Sequence, residues 1–166
     1  MKTKITTIVI DTNVYGWYLA YALDGSRRAE AINSFGLLLK ILELKKPVVL
    51  GTETVEKEIK AANNPTLSEL FYSIVSGIIK KTERAEKLAL NYYDYCRKEK
   101  LNLVTIADCK IVASALIAGT KIFVTENRKT LNNPRVVKAV GGVNSINGLG
   151  NVRIMDSKNA LGELYA

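Results

Sequence analysis

The chain has 166 residues, 48% hydrophobic and 24% charged, a size and balance that fit one globular domain with a substantial core and argue against two independent ones. It contains no histidine and only two cysteines, which excludes histidine general-base chemistry and zinc-hydrolase sites. Lys and Arg outnumber Asp and Glu by 24 to 16, and the net charge of +8 is consistent with a polyanionic partner.

Ile5 to Ile10 is rich in β-branched residues and stops at Asp11, the pattern of a buried first strand ending in a polar turn. The opening residues have a basic start, but threonines interrupt the apolar stretch, so a signal peptide's apolar core is lacking. Val14 to Leu23 reads as a helix. Asp24-Gly25-Ser26 then breaks the chain, and Arg27 to Leu44 resumes as a long amphipathic helix carrying Ile32, Phe35, Leu39 and Leu42.

Pro47 to Leu50 is a second short strand, and Gly51-Thr52 supplies a turn and an N-cap for a helix over Glu53 to Ala62. After Asn63-Asn64-Pro65, helices are predicted over Ser68 to Lys80 and Glu83 to Glu99. They form a helical insertion around residues 63–100 of a single domain spanning 1–166. Thr105 opens a helix over Ile106 to Ala118 closed by Gly119, and Lys121 to Thr125 follows as a strand. The Asn-, Pro- and Gly-rich stretch from Asn132 to Asn151 predicts a mobile loop around one short helix, and Val152 to Met155 supplies a last strand.

This alternation predicts an α/β fold, a three-layer sandwich with a central parallel sheet and helices on both faces. The longest apolar run, Ile111 to Gly119, falls well short of the roughly 20 residues needed to span a bilayer, so a soluble, cytoplasmic protein is expected. Cys96 and Cys109 lie in predicted helices without metal-ligand spacing and read as buried free thiols.

Asp11, Glu58, Asp108 and Asn127 each fall where a strand ends or a helix begins. In an open parallel sheet those edges converge on one crevice, the place where such folds bind ligands. Oxygen ligands and negative charge gathered there suit a hard cation such as Mg²⁺ or Mn²⁺. Each position also has a structural explanation. Asp11 can be a turn residue or helix cap, and Glu58 sits on the flank of the stripe formed by Val55, Ile59 and Ala62, where it can simply be solvated. Thr105-Ile106-Ala107-Asp108 matches a capping box, although Asp108 also shares the face of Ile111, Val112 and Ala115. Thr12 and Asn13 can orient the Asp11 carboxylate or act as caps themselves.

Taken together, Ile8-Val9-Ile10-Asp11-Thr12-Asn13, the helix Thr52 to Ile59, the helix Asp108 to Ala115 and Ile122-Phe123-Val124-Thr125-Glu126-Asn127 resemble the PIN-domain family over nearly the whole chain. The resemblance implies a compact α/β sandwich and a metal-dependent ribonuclease, as in the VapC-type toxins of toxin–antitoxin pairs. It implies Asp11, Glu58 and Asp108 as acids binding Mg²⁺ or Mn²⁺, single-stranded RNA as substrate, and an antitoxin protein and a second copy of the chain as partners. The fourth family position is commonly Asp; Asn127 stands there, keeping an amide oxygen and removing a charge. Thr125 and Asn127 would hold a water-mediated shell, and Arg128 and Lys129 would contact the substrate backbone. Two competing readings are a catalytically inactive PIN-like module that binds RNA or protein, for which Asn127 speaks, and an aspartate-nucleophile phosphatase, against which Asn13 speaks, since that chemistry wants a second acid two residues on.

Overall fold

The computed structural model describes residues 6–166; Ile5, the expected first residue of the opening strand, lies outside them. In chain order the elements are β1 (Thr7–Ile10), α1 (Thr12–Ala22), α2 (Ala29–Leu44), β2 (Val48–Thr52), α3 (Glu53–Ala61), α4 (Pro65–Ile74), β3 (Gly77–Ile79), α5 (Glu83–Lys98), α6 (Ile106–Ile117), β4 (Ile122–Val124), α7 (Pro134–Ile146), β5 (Arg153–Met155) and α8 (Ser157–Leu164). All five strands are parallel, in the order β3-β2-β1-β4-β5.

The central strands are short and apolar on both faces because helices cover both. Ile8, Val9, Ile10, Phe123 and Val124 are all fully buried. Helices α1, α2, α4 and α8 pack together as one group, and α5, α6 and α7 as another. From β1 the chain steps outward to β2 and β3, then crosses back to the other side of β1 to form β4. The strand order therefore reverses between β1 and β4, and a crevice opens there at the carboxyl ends of the strands. The Asp11 N–H donates to Val124 O at 2.9 Å, extending the β1–β4 ladder one residue past the strand into that crevice.

Three parts differ from the sequence expectation. The helix expected over Ser68 to Lys80 ends at Ile74, and Gly77–Ile79 becomes an edge strand paired in register with Leu50, Gly51 and Thr52. Its entry is fixed by Ser76 N–H donating to Val49 O at 2.8 Å. The region expected as a helical insertion thus returns to the sheet.

Second, the one short helix expected within the loop of residues 132–151 is a 13-residue helix, α7, that fills most of the stretch. Asn133 caps it through Oδ1, which accepts from Arg135 N–H at 2.9 Å, and Pro134 occupies the first turn, where its missing N–H costs nothing. Third, α8 follows β5 directly, capped by Asp156, whose Oδ1 accepts from Asn159 N–H at 2.8 Å. No helix among the described residues is long and apolar enough to cross a membrane. Cys96 and Cys109 are buried and free, as expected.

Candidate active site

Asp11 is the N-cap of α1 and is only 5% exposed. Its Oδ1 accepts from Thr12 N–H at 2.8 Å, and its Oδ2 accepts from the Thr125 hydroxyl at 2.8 Å and Asn13 Nδ2 at 3.1 Å. Thr125 also receives Asn13 Nδ2 at 3.3 Å and Asn127 N–H at 3.1 Å, while Asn13 Oδ1 accepts from Glu126 N–H at 3.1 Å. Thr12, Asn13 and Thr125 therefore surround Asp11 and tie the end of β1 to the turn after β4. Such orientation is what a working carboxylate requires.

Glu58 and Asp108 approach from other elements. Glu58, half-buried on α3, accepts a hydrogen bond from the Thr12 hydroxyl. Asp108 completes a capping box at the start of α6: its Oδ2 accepts from Thr105 N–H at 3.0 Å, and its own N–H donates to Thr105 Oγ1 at 3.1 Å. The cap reading is thus correct for Asp108, and the capping bond also fixes its side chain.

The proximity of the three acids registers on Asp11. Burial, opposed by the hydrogen bonds from Thr125 and Thr12 and reinforced by the charges of Glu58 and Asp108, pushes its pKa from 3.8 to about 6. Among the described residues, however, no three His, Cys, Asp or Glu side chains stand close enough to form a ready-made metal cage.

The turn after β4 splits its residues between two directions. Asn127 is half-buried; its N–H is held by Thr125, its carbonyl accepts from Asn132 N–H at 2.9 Å, and its amide side chain has no hydrogen-bond partner among the described residues. Glu126 turns the other way, as alternation along an extended segment requires. Its Oε1 accepts from Ser157 N–H at 2.8 Å at the start of α8, and burial raises its pKa. Arg128 is drawn in the same direction, 3.9 Å from Asp156, whereas Lys129 is exposed without a partner among the described residues.

Tyr15 was not among the residues singled out from sequence. It lies one helical turn after Asp11, fully buried edge-on against Phe71 with its rings 5.4 Å apart. Its hydroxyl has no partner among the described residues, and burial together with the Asp11 charge raises its pKa. The i+4 spacing from Asp11 was the available signal.

No family model and no curated protein matches the sequence. Solved structures do match. A chain of VapBC2 from Rickettsia felis, bound to a DNA fragment from its promoter, aligns with a TM-score of 0.58 over 91% of this chain and 98% of that one. This chain has a PIN-like fold. FitAcB from Neisseria gonorrhoeae aligns with a TM-score of 0.56 over 90% of this chain and 97% of that one. At 12% and 15% identity the likeness is one of fold, and the PIN-like architecture accounts for the convergence of β1, α3, α6 and β4 on one crevice.

Proposed function

We propose that the chain is a metal-dependent endoribonuclease that hydrolyses phosphodiester bonds of single-stranded RNA, working as the toxin of a toxin–antitoxin pair. The observation that carries this reading is the buried Asp11 carboxylate at the β1–β4 switch point, repelled by Glu58 and Asp108. An acid pushed to about 6 chiefly by burial, with the charges of two further acids adding to the rise, lies in a field that a cation relieves. The donor set of carboxylates, hydroxyls and an amide is all oxygen, which selects hard cations. It also fits Mg²⁺ or Mn²⁺ without a preformed cage, because Mg²⁺ keeps several waters and is commonly held by one or two carboxylates.

Asp11, Glu58 and Asp108 would hold the ion. When bound, it would supply a lowered pKa for attacking water and charge stabilisation at the scissile phosphate. The protein's own work is orientation. Thr125 and Asn13 fix Asp11 Oδ2, Thr12 fixes Glu58, and Thr105 fixes Asp108, so each acid is held by a partner and searches fewer rotamers. Glu58 can take a proton from water at its carboxylate, and the free amide of Asn127 can orient that water. Lys129, exposed beside Asn127, is free to meet a substrate phosphate, whereas Arg128 must first leave Asp156.

The fold likeness to VapBC2 and FitAcB supports an antitoxin protein as partner; a second copy as partner and a cytoplasmic setting belong to the same proposal. A non-catalytic RNA- or protein-binding module is the second reading, favoured by the amide at Asn127. The phosphatase reading is weaker, because Asn13 stands where a second acid is wanted and both Asp11 oxygens are already hydrogen-bonded.

The deciding experiment compares cleavage of labelled single-stranded RNA by wild type and Asp11→Asn in Mg²⁺, Mn²⁺ or EDTA, from matched purifications. Divalent-dependent cleavage absent from the variant is expected. Equal cleavage by the two proteins, or cleavage in EDTA, sinks the nuclease reading, and retained RNA binding without cleavage supports the second one.

A further inference from the structure

The end of α5 and one face of α7 enclose a groove of about 460 Å³ whose lining includes Tyr95, Glu99, Leu101, Arg135, Lys138 and Gly142. Both walls run on along the chain to residues of the candidate site. On one side the chain passes from Leu101 to Thr105, whose N–H holds Asp108. On the other, the turn from Asn127 runs to Asn133, the cap of α7. Arg135 Nη2 donates to Glu99 O at 3.1 Å, docking α7 on the end of α5, and the guanidinium forms no ion pair among the described residues. Lys138, one turn further along, is exposed and has no partner among them. Arg97, Lys98 and Lys100 crowd the same end of α5, and Glu99 is the one acid in the lining.

The floor of the groove is chemically odd. Gly141 and Gly142 sit inside α7, where glycine weakens a helix relative to alanine. Packing does not demand them: a Cβ at Gly142 would lie 4.0 Å from the Tyr95 hydroxyl and one at Gly141 3.8 Å from Asn151 Oδ1, ordinary contacts. Glycine at these positions gives up helix stability and leaves the groove open.

We propose that this groove carries the single-stranded RNA flanking the scissile phosphate, with Arg135 and Lys138 on backbone phosphates and Tyr95 against a base. The inference rests on the ribonuclease reading. Unpaired cations, an aromatic side chain and continuity with the acid-bearing loops favour a nucleic-acid strand over an acidic protein.

The test measures binding of a labelled 12-nucleotide RNA to Asp11→Asn protein across a KCl series, alone and combined with Arg135→Gln/Lys138→Gln or with Gly142→Ala. Neutralising two phosphate contacts should flatten the salt dependence of log K by about 1.4 and weaken binding about tenfold or more at moderate salt. Gly142→Ala should unfold at no lower urea concentration yet bind several-fold more weakly, a combination that a purely structural glycine does not give. An unchanged salt slope, or parental affinity in Gly142→Ala, overturns the groove while wild-type cleavage leaves the nuclease standing. Absence of both RNA binding and cleavage removes the two readings together. Loss of a protein partner's binding with RNA binding intact reassigns the groove to that partner.

Discussion

The Thr125 hydroxyl donates to Asp11 Oδ2 at 2.8 Å, joining the ends of two neighbouring strands separated by 114 residues of sequence. Thr125 is fully buried, so the bond is shielded from water, and it works against the burial that raises the pKa of Asp11. The acid site is therefore set by the β1–β4 register, in which Ile10 pairs with Val124 and the next residue of each strand enters the crevice.

Asp11→Asn should abolish cleavage and stabilise the metal-free protein. The folded-state pKa of Asp11, about 6, lies above its ordinary value of 3.8. The penalty for charging it is therefore absent below the unfolded value, grows as pH rises and is complete above about 6. At about 1.4 kcal/mol per pKa unit the charged form costs roughly 3 kcal/mol, and loss of a hydrogen bond to the new amide returns about 1, leaving a gain of about 2 kcal/mol. Urea unfolding in EDTA should show that gain at pH 7.5 and none at pH 4. Equal stability at pH 7.5 would mean that Asp11 is not strained by its surroundings.

Thr125→Val should be damaging in a way that Thr125→Ser is not. Valine removes the donor to Asp11 and the acceptor of Asn127 N–H while keeping the shape, leaving buried polar groups unpaired at a cost of about 1–3 kcal/mol. Losing an orienting partner of a metal-binding acid commonly costs about 10–100-fold in activity or metal affinity. Cleavage rates and Mn²⁺ titrations on the valine and serine variants, with circular dichroism to verify folding, check this. A fully active valine variant would show that the hydroxyl is only a packing element.

The crevice was legible in the sequence because its ingredients are local. Ile8-Val9-Ile10 can only be a strand buried on both faces, so the polar Asp11-Thr12-Asn13 that follows must lie at its end, and Ile122-Phe123-Val124 followed by Thr125 repeats the pattern. The missed strand β3 has no such signature. Gly77-Ile78-Ile79 continues an apolar stretch that fits the end of a helix equally well, and only pairing with β2, remote in sequence, makes it a strand. The length of helix α7 was obscured by Gly141-Gly142, although Asn133-Pro134 carries the same cap-and-first-turn signal as Asn64-Pro65. Ser157, the partner of Glu126, belongs to a helix the sequence pattern did not announce.

Asn127→Asp separates the two functional readings. A fourth carboxylate adds repulsion in the empty site and attraction for a cation, so the variant should be less stable than wild type in EDTA and should bind Mn²⁺ about tenfold more tightly. Unfolding in EDTA and calorimetric Mn²⁺ titration provide the two readouts. Unchanged Mn²⁺ affinity with unchanged stability would place residue 127 outside the acid field and remove the argument that its amide weakens the site.

Glu126→Ala and Glu126→Gln test how the site is anchored. Glu126 Oε1 caps Ser157 N–H at the start of α8, while the backbone N–H of the same residue holds Asn13, which in turn holds Asp11. Helix α8 packs on α2 and is further secured by Ser34 and Ser157, whose hydroxyls are 3.3 Å apart. Alanine leaves the Ser157 N–H buried and unpaired, so it should cost about 1–3 kcal/mol. Glutamine keeps an acceptor oxygen and should cost less than 1 kcal/mol, the more so because burial already disfavours the charged carboxyl. Amide exchange by mass spectrometry should locate the alanine effect in two places, the first turn of α8 and the Thr125–Asn127 turn. Protection lost in α8 alone would show that the turn holds the acids without help from the helix behind it.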